Sequence, residues 1–257
     1  MIDPSVFIGS YPFRHVPHPE PAILARVMER EGIAHAWVGH LPSAFADNPA
    51  AGNTELYGAL EPHREILSPA PTIRPDRPDW KTELDGAARA GAAAIRAFPP
   101  QWRMAAGDRA LANLAIACGE RELPVVLTVR FEDLRQRKAA DTFGDLTGAA
   151  IRALARAGSD VRLVVCAAGR DLIEEVHWGL TPLEQSRVLW DISWIWGPPD
   201  DHLAKLFRSM GSTRFVFGSE WPLRLVESAT PNPESQKPEP TTHAEYQNPK
   251  ERAFRHQ

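Results

Sequence analysis

The chain has 257 residues, 43% of them hydrophobic, and its 29 basic and 33 acidic residues give a formal net charge of −4. This length allows one substantial core, and the near balance of charge excludes the strongly basic surface of a nucleic-acid-binding protein. No apolar run approaches the roughly 20 residues that a membrane-spanning helix needs, and no secretory leader is recognisable. Because Cys118 and Cys166 lie in apolar surroundings, we expect them to be reduced core cysteines of a cytoplasmic protein. From the charge balance and the lack of a long apolar run, we expect that this protein binds neither nucleic acid nor membrane.

Short apolar segments alternate along the chain with longer amphipathic segments. The pattern predicts strands at residues 5–9, 35–40, 66–73, 92–98, 124–130, 161–168, 188–195 and 214–220. It predicts helices at residues 19–32, 53–63, 79–91, 108–122, 145–158, 170–180 and 199–211, with an Asn cap at Asn53. Strands that alternate with helices form parallel sheets, and eight of them in about 220 residues favour a closed (β/α)8 TIM barrel. A doubly wound open sheet is the alternative, but no strand is followed by a glycine-rich dinucleotide-binding turn.

The end of the chain departs from the barrel pattern. An eighth helix should follow the eighth strand, but the remaining sequence is polar and rich in proline. We therefore expect a barrel domain over residues 1–225 with its last helix missing or atypical, and an extended or disordered tail over 226–257. The tail, or a second copy of the chain in a homo-oligomer, could cover the apolar surface that the missing helix leaves.

Two carboxylates are candidates for catalysis. The active site of a parallel barrel lies at the carboxyl ends of its strands, where Glu220 ends the eighth strand and Asp191 lies in the seventh. Such a pair could carry out general acid–base catalysis. Alternatively, Glu220 could form an ion pair with Arg96 or Arg130, and Asp191 could hold the following loop by a structural hydrogen bond.

Arginines are numerous at the same strand ends. Guanidinium groups bind carboxylates through two parallel hydrogen bonds, so Arg14, Arg96 and Arg130 form a predicted clamp for a small anionic substrate. Alternatively, some of them bridge acidic neighbours such as Glu132. His40 ends the second strand and is a further candidate for substrate binding, although a lone histidine there is more often structural.

Two tryptophans of the seventh strand are predicted to pack outside the site. Trp190 and Trp194 face opposite to Asp191 if the strand alternates regularly. This alternation favours packing between the strand and the outer helices over an aromatic wall for a substrate.

Four motifs in this order resemble the amidohydrolase superfamily, especially its amidohydrolase-related branch of decarboxylases, lactonases and hydrolases. They are IDPSVFIG (residues 2–9), LPVVLT (123–128), AAG (167–169) and FGSEWP (217–222). The resemblance covers the barrel but not the tail. It implies a TIM barrel with a catalytic metal, whose ligands would lie at the positions of Ser5, Phe7, Thr128, Ala167 and Glu220.

The residues at these positions depart from the family's pattern. Phenylalanine and alanine side chains have no metal-binding atom, and a neutral hydroxyl is a poor ligand, so only Glu220 suits a metal. We therefore expect no metal at the family's usual site and no other cofactor. His15 and His18 have a metal-like spacing, but they lie in a proline-flanked segment that is more typical of a solvated loop.

The motifs and their departures together predict a hydrolase or lyase that acts on a small carboxylated organic substrate without the family's metal. Glu220 would act as the base, and the arginines would hold the substrate. The alternative is a catalytically silent barrel that serves as a binding or assembly subunit, because a fold does not fix a function.

Overall fold

The computed structural model describes residues 1–17, 20–195 and 201–224. The strands are β1 (Ile2–Ile8), β2 (His35–His40), β3 (Leu67–Pro69), β4 (Ile95–Ala97), β5 (Val125–Thr128), β6 (Leu163–Cys166), β7 (Val188–Asp191) and β8 (Phe215–Val216). The helices are α1 (Pro21–Glu31), α2 (Ala50–Leu60), α3 (Trp80–Arg89), α4 (Arg109–Gly119), α5 (Gly148–Ala155), α6 (Arg170–Trp178), α7 (Pro182–Gln185) and α8 (His202–Met210). Short 3-10 turns span Leu41–Phe45, Glu61–His63 and Ser212–Arg214.

Each predicted strand and helix is found in its expected place, with differences at the ends. The third strand is short because Pro69 and Pro71 have no backbone N–H with which to continue a ladder. The helix predicted from residue 53 begins at Ala50, whose N–H donates to the side chain of Asn48 at 3.1 Å. The predicted cap at Asn53 is therefore wrong: its side chain instead binds the backbone of Thr72, accepting at 2.9 Å and donating at 2.8 Å.

The strands run parallel in two hydrogen-bonded groups that meet at both edges. One group has the order β1-β2-β3 and the other β4-β5-β6-β7-β8. A bridge between Thr72 and Arg96 links the chain after β3 to β4. At the other edge, the N–H of Phe7 in β1 donates to the carbonyl of Trp221 beyond β8 at 2.7 Å. These links arrange the strands as a ring, as in a TIM barrel.

Alternate strand residues pack on opposite faces of the sheet. The space enclosed by the ring of strands is called the barrel interior below. Val126, Val164 and Cys166 are among the strand residues that face it. The residues between them, such as Leu127 and Val165, pack against the helices outside. The sequence pattern of apolar segments therefore reflects strands that are buried on both faces.

Several expectations concern residues outside the described ranges. The predicted tail at 226–257 lies there, so the division into a barrel domain and a tail stays a prediction, as does the homo-oligomer. In the part of the chain that the structure describes, no helix combines the length and apolarity that a bilayer crossing requires.

A substitution at Gly39 tests how tightly the barrel interior is packed. A Cβ at this position in β2 would lie 2.4 Å from Nε and 2.5 Å from Cδ of Arg96, a fully buried residue. We expect Gly39→Ala to lower the free energy of unfolding by about 1–3 kcal/mol, because overpacking forces the neighbours to shift.

Gly58→Ala is the matched control for this prediction. No atom lies within 4 Å of a Cβ at Gly58 in α2, so this variant should be as stable as the wild type or more stable by about 0.5–1 kcal/mol. Urea unfolding of both variants provides the measurement. Equal stabilities of the two variants would show that the interior tolerates the extra methyl group.

Candidate functional site

The two predicted carboxylates lie together at the carboxyl ends of β7 and β8. Asp191 ends β7 and is fully buried, and Glu220 follows β8 with 1% of its surface exposed. Burial raises the pKa of Asp191 to about 7, and burial together with the negative charge of Asp191 raises that of Glu220 to about 8. The raised pKa values of both carboxyl groups thus lie near neutral pH.

The two oxygens of Glu220 differ in their surroundings. Oε2 accepts a hydrogen bond from the indole N–H of Trp194 and lies 3.3 Å from Nε of Arg224. The Arg224 guanidinium carbon lies 4.0 Å from the centre of the Trp194 ring, a cation–π distance. Oε1 is buried and has no hydrogen-bond partner among the described residues. Oε2 is thus held by two partners, whereas Oε1 has none among the described residues.

The backbone is strained at two strand ends beside these carboxylates. Glu220 has φ 57° and Ala167 has φ 61°, values that cost a residue with a side chain about 1–2 kcal/mol. The N–H of Glu220 donates to Oγ of Ser5 at 3.0 Å, and the N–H of Ala167 donates to Oδ1 of Asp191 at 3.0 Å. Strain that buried side chains hold in this way is concentrated at functional sites.

Asp191 also has the structural hydrogen bonds that the sequence left as an alternative. Its carboxylate accepts from Oγ of Ser193 at 2.9–3.0 Å and so holds the turn after β7. Gly218 allows the close approach, because a Cβ there would lie 2.5 Å from Oδ2 of Asp191 and 2.8 Å from Oγ of Ser5. The Asp191 carboxylate therefore holds the turn after β7 and, through its negative charge, also raises the pKa of Glu220.

Asp3 is a buried carboxylate of this region that the sequence analysis missed. It accepts hydrogen bonds from the N–H of Ser219 at 3.2–3.3 Å, the N–H of Ser5 at 3.0 Å and Oγ of Ser5 at 3.1 Å. These bonds attach β1 to the segment that carries Glu220. The signal in the sequence was the Ile-Asp pair at the start of the first motif.

Two of the predicted clamp arginines lie near the Glu220 pair. Nε of Arg14 is 2.5 Å from Glu132, and its Nη2 donates to the carbonyl of Leu223 at 2.8 Å. The guanidinium of Arg130 lies 5.3 Å from the Trp194 ring centre and 3.0 Å from Asp145. Both arginines thus bridge acidic neighbours, as the alternative had it, and their binding of a substrate stays a prediction.

The other predicted substrate-binding residues lie elsewhere. Arg96 is fully buried in the barrel interior, where its guanidinium donates to main-chain carbonyls, so its position does not favour contact with a substrate. His40 contacts Oγ of Ser43 at 2.8 Å and Glu55 at 3.6 Å, between β2 and α2. Burial lowers the pKa of His40, which favours the neutral imidazole of a structural histidine.

The prediction for Trp194 is wrong, whereas Trp190 packs in the outer core as expected. The strand β7 ends at Asp191, so the alternation of side chains stops before Trp194, whose indole turns to Glu220. The ion-pair partner of Glu220 is likewise Arg224, four residues later, rather than Arg96 or Arg130.

The residues at the family's metal positions do not fit a metal. Phe7 and Ala167 have no ligand atom, and Oγ of Ser5 is engaged with Asp3 and with the N–H of Glu220. Across residues 1–17, 20–195 and 201–224, no group of three or more His, Cys, Asp or Glu residues is placed to hold a metal ion. His18 lies outside these residues.

Comparisons with known proteins show the fold. No protein-family model and no curated protein matches the chain. A solved structure of 2,6-dihydroxybenzoate decarboxylase with 2,6-dihydroxybenzoate matches with a TM-score of 0.68 and 11% identity, over 89% of this chain and 90% of that one. A protein described as amidohydrolase II matches with a TM-score of 0.66 and 14% identity, over 89% of both chains.

A third solved structure belongs to a Pseudomonas putida protein described as a 2-pyrone-4,6-dicarboxylic acid hydrolase. It matches with a TM-score of 0.59 and 19% identity, over 89% of this chain and 85% of that one. The chain therefore has the TIM-barrel fold of the amidohydrolases, which confirms the fold that the sequence predicts. At these low identities the structural similarity shows the fold alone, so the activity has to be argued from the residues of the site.

Proposed function

We propose that the protein is a hydrolase or lyase that acts on a small carboxylated organic molecule, with Glu220 as its general acid–base group and without the family's metal. The observation that carries this proposal is the buried Glu220–Asp191 pair at the carboxyl end of the barrel, with Oε1 of Glu220 unpartnered among the described residues. A carboxyl group whose pKa lies near neutrality is matched to both halves of a proton transfer.

The same proton transfer serves two reactions. In hydrolysis, ionised Glu220 takes a proton from a water molecule while the water oxygen attacks a carbonyl carbon of the substrate. Glu220 then returns the proton to the leaving-group oxygen of the substrate. In decarboxylation of an aromatic acid, protonated Glu220 gives its proton to the ring carbon that carries the carboxylate. The bond between this carbon and the carboxylate breaks at the same time, and carbon dioxide leaves. In both, Trp194 and Arg224 hold Oε2 so that Oε1 keeps its direction.

The surrounding charges support a carboxylated substrate. The guanidinium groups of Arg14 and Arg130 lie near Glu220 and its neighbours, where a carboxylate could compete with Glu132 and Asp145 for them. The solved structures of the same fold support this class, since one contains 2,6-dihydroxybenzoate and another is described as a dicarboxylic acid hydrolase.

A catalytically silent barrel remains the second candidate because of the packing at the metal positions. The ring of Phe7 lies 5.9 Å from that of Phe131 and 6.4 Å from that of Phe98, so aromatic side chains fill space beside the first strand. Glu220 is also nearly closed off from solvent. These features favour a barrel whose former site is now packed.

A substrate screen separates the two candidates. Wild type, Glu220→Gln and Glu120→Gln would be incubated with hydroxybenzoates and carboxylated lactones, and loss of substrate would be followed by absorbance. We expect turnover by the wild type and at least about a 100-fold lower kcat/KM for Glu220→Gln, the usual contribution of a general acid–base group.

Glu120 provides the matched control, because its side chain is 66% exposed on the outside of the barrel. Glu120→Gln should keep the wild-type rate. If the wild type turns over neither class of substrate, the silent barrel becomes the better account. If Glu220→Gln retains full turnover, the barrel is an enzyme but Glu220 is not its base.

A further inference from the structure

A positive charge is buried in the barrel interior. Arg96 extends from β4 and is fully buried, and its Nη2 reaches carbonyl oxygens of two other strands. It donates to Pro4 at 2.7 Å, to Trp37 at 2.9 Å and to Val6 at 3.0 Å. Three main-chain acceptors therefore share the two N–H groups of Nη2, while Nε and Nη1 are buried without a hydrogen-bond partner among the described residues.

The first strand bends to supply two of these acceptors. Asp3 pairs with Ala36 and Val6 pairs with Val38, so β1 has one more residue than β2 between these pairs. Pro4 lies in this bulge and has no N–H for the ladder. The carbonyls of Pro4 in the bulge and of Val6 at its end both accept from Arg96.

Two further residues of the interior are adapted to the guanidinium. Gly39 leaves the space in which Nε and Cδ of Arg96 lie, since a Cβ there would meet them at 2.4 and 2.5 Å. The ring of Phe7 lies 4.3 Å from the guanidinium carbon, a favourable cation–π distance. Phe7 occupies one of the family's metal positions, so this position now contacts an organic cation.

The charges around Arg96 compensate its burial. A buried charge is costly unless other groups balance it. Burial lowers the pKa of Arg96 to about 10, which leaves it charged at neutral pH, and the carboxylates of Asp3 and Asp191 favour its charged form. The interior therefore has the composition of a cation site, with carbonyl oxygens in contact and carboxylates nearby.

We propose that the barrel interior is a built guanidinium-binding site that Arg96 fills from within the chain, so that an organic cation supplies the internal positive charge that a metal supplies in the family. Arg96 is then a positioning residue. It fixes the bulge of β1, and the neighbouring Asp3 and Ser5 hold the backbone of Ser219 and Glu220. The inference does not depend on whether the barrel is an enzyme.

Chemical rescue tests this proposal. Arg96→Ala removes an ethylguanidinium group, and we expect its Tm to fall by about 10 °C, in line with the loss of a buried, compensated charge. Addition of about 10 mM N-ethylguanidinium, far below denaturing concentrations, should restore at least half of this loss. The same concentration of N-ethylurea, which has a similar shape but no charge, should restore little, as should potassium chloride.

Two further variants keep the test decisive. Arg96→Met fills the space without a charge and should remain less stable than Arg96→Lys, which keeps the charge. If Arg96→Ala does not fold alone, its refolding yield from urea should rise with N-ethylguanidinium and not with N-ethylurea. Equal rescue by the two compounds, or an Arg96→Met variant as stable as the wild type, would overturn the guanidinium site in favour of simple packing.

Discussion

Replacement of Asp3 by alanine is expected to lower the free energy of unfolding by about 3–5 kcal/mol, among the largest effects of a single substitution. The Asp3 carboxylate accepts two hydrogen bonds from Ser5 and another from the N–H of Ser219, all in the buried interior. Alanine would leave these donors unpaired away from water, and each buried unsatisfied group costs about 1–3 kcal/mol. The loss should be large because these bonds connect β1 to the end of β8.

Two variants show whether hydrogen bonds cause this effect. Asp3→Asn keeps one carbonyl oxygen, which can retain the bonds that Oδ1 accepts, so it should lose clearly less stability than Asp3→Ala. Asp160→Ala changes an exposed aspartate and should stay within about 0.5 kcal/mol of the wild type. Urea unfolding monitored by tryptophan fluorescence measures all three. A loss below about 1 kcal/mol for Asp3→Ala would show that Asp3 does not join the two strands.

The barrel was predictable because its strands are buried on both faces. Segments such as residues 124–130 and 161–168 are mostly apolar and lie between amphipathic helices, a pattern with few alternative folds. The ends of the elements were less predictable, since they depend on single hydrogen bonds. Asn53 is a good helix cap by type, but its side chain binds the backbone of Thr72 and α2 begins earlier, at Ala50.

The site was predictable where strand alternation applies and not beyond the strand ends. Asp191 lies in a strand, and its direction followed from alternation. Trp194 and Arg224 lie in turns, so their contacts with Glu220 could not be derived from periodicity. Arg96 faces the interior as alternation requires, but a long side chain can extend toward the mouth or across the barrel. The space at Gly39 and the carbonyl acceptors of the bulged β1 direct the Arg96 side chain across the barrel.

The stability of the protein should decrease as the pH rises from 6.5 to 8. Burial raises the pKa of Asp191 to about 7 and of Glu220 to about 8, above the values near 4 of unfolded carboxyl groups. In this range the folded state therefore holds protons that the unfolded state has lost. Their stabilising contribution is complete below pH 4 and is lost as the pH rises through the folded pKa values.

The histidines determine the lower limit of this range. Burial lowers the pKa of His40 and of His177, so their effect on stability has the opposite sign and lies below the ordinary histidine pKa near 6.5. Between pH 6.5 and 8 the carboxyl pair should dominate. Each carboxyl group contributes at most about 1.4 kcal/mol per pH unit to the slope.

Glu220→Gln provides the decisive comparison, because its amide does not titrate. Urea unfolding of the wild type, Glu220→Gln and Glu120→Gln at pH 6.5, 7, 7.5 and 8 should give a steep decrease in stability for the wild type and Glu120→Gln. The decrease should be shallower for Glu220→Gln, which keeps only one of the two titrating groups of the pair. A wild-type stability that is constant or rises over this range would mean that the pair is already ionised at pH 6.5, and a pair ionised there could not supply the proton that the proposed decarboxylation requires.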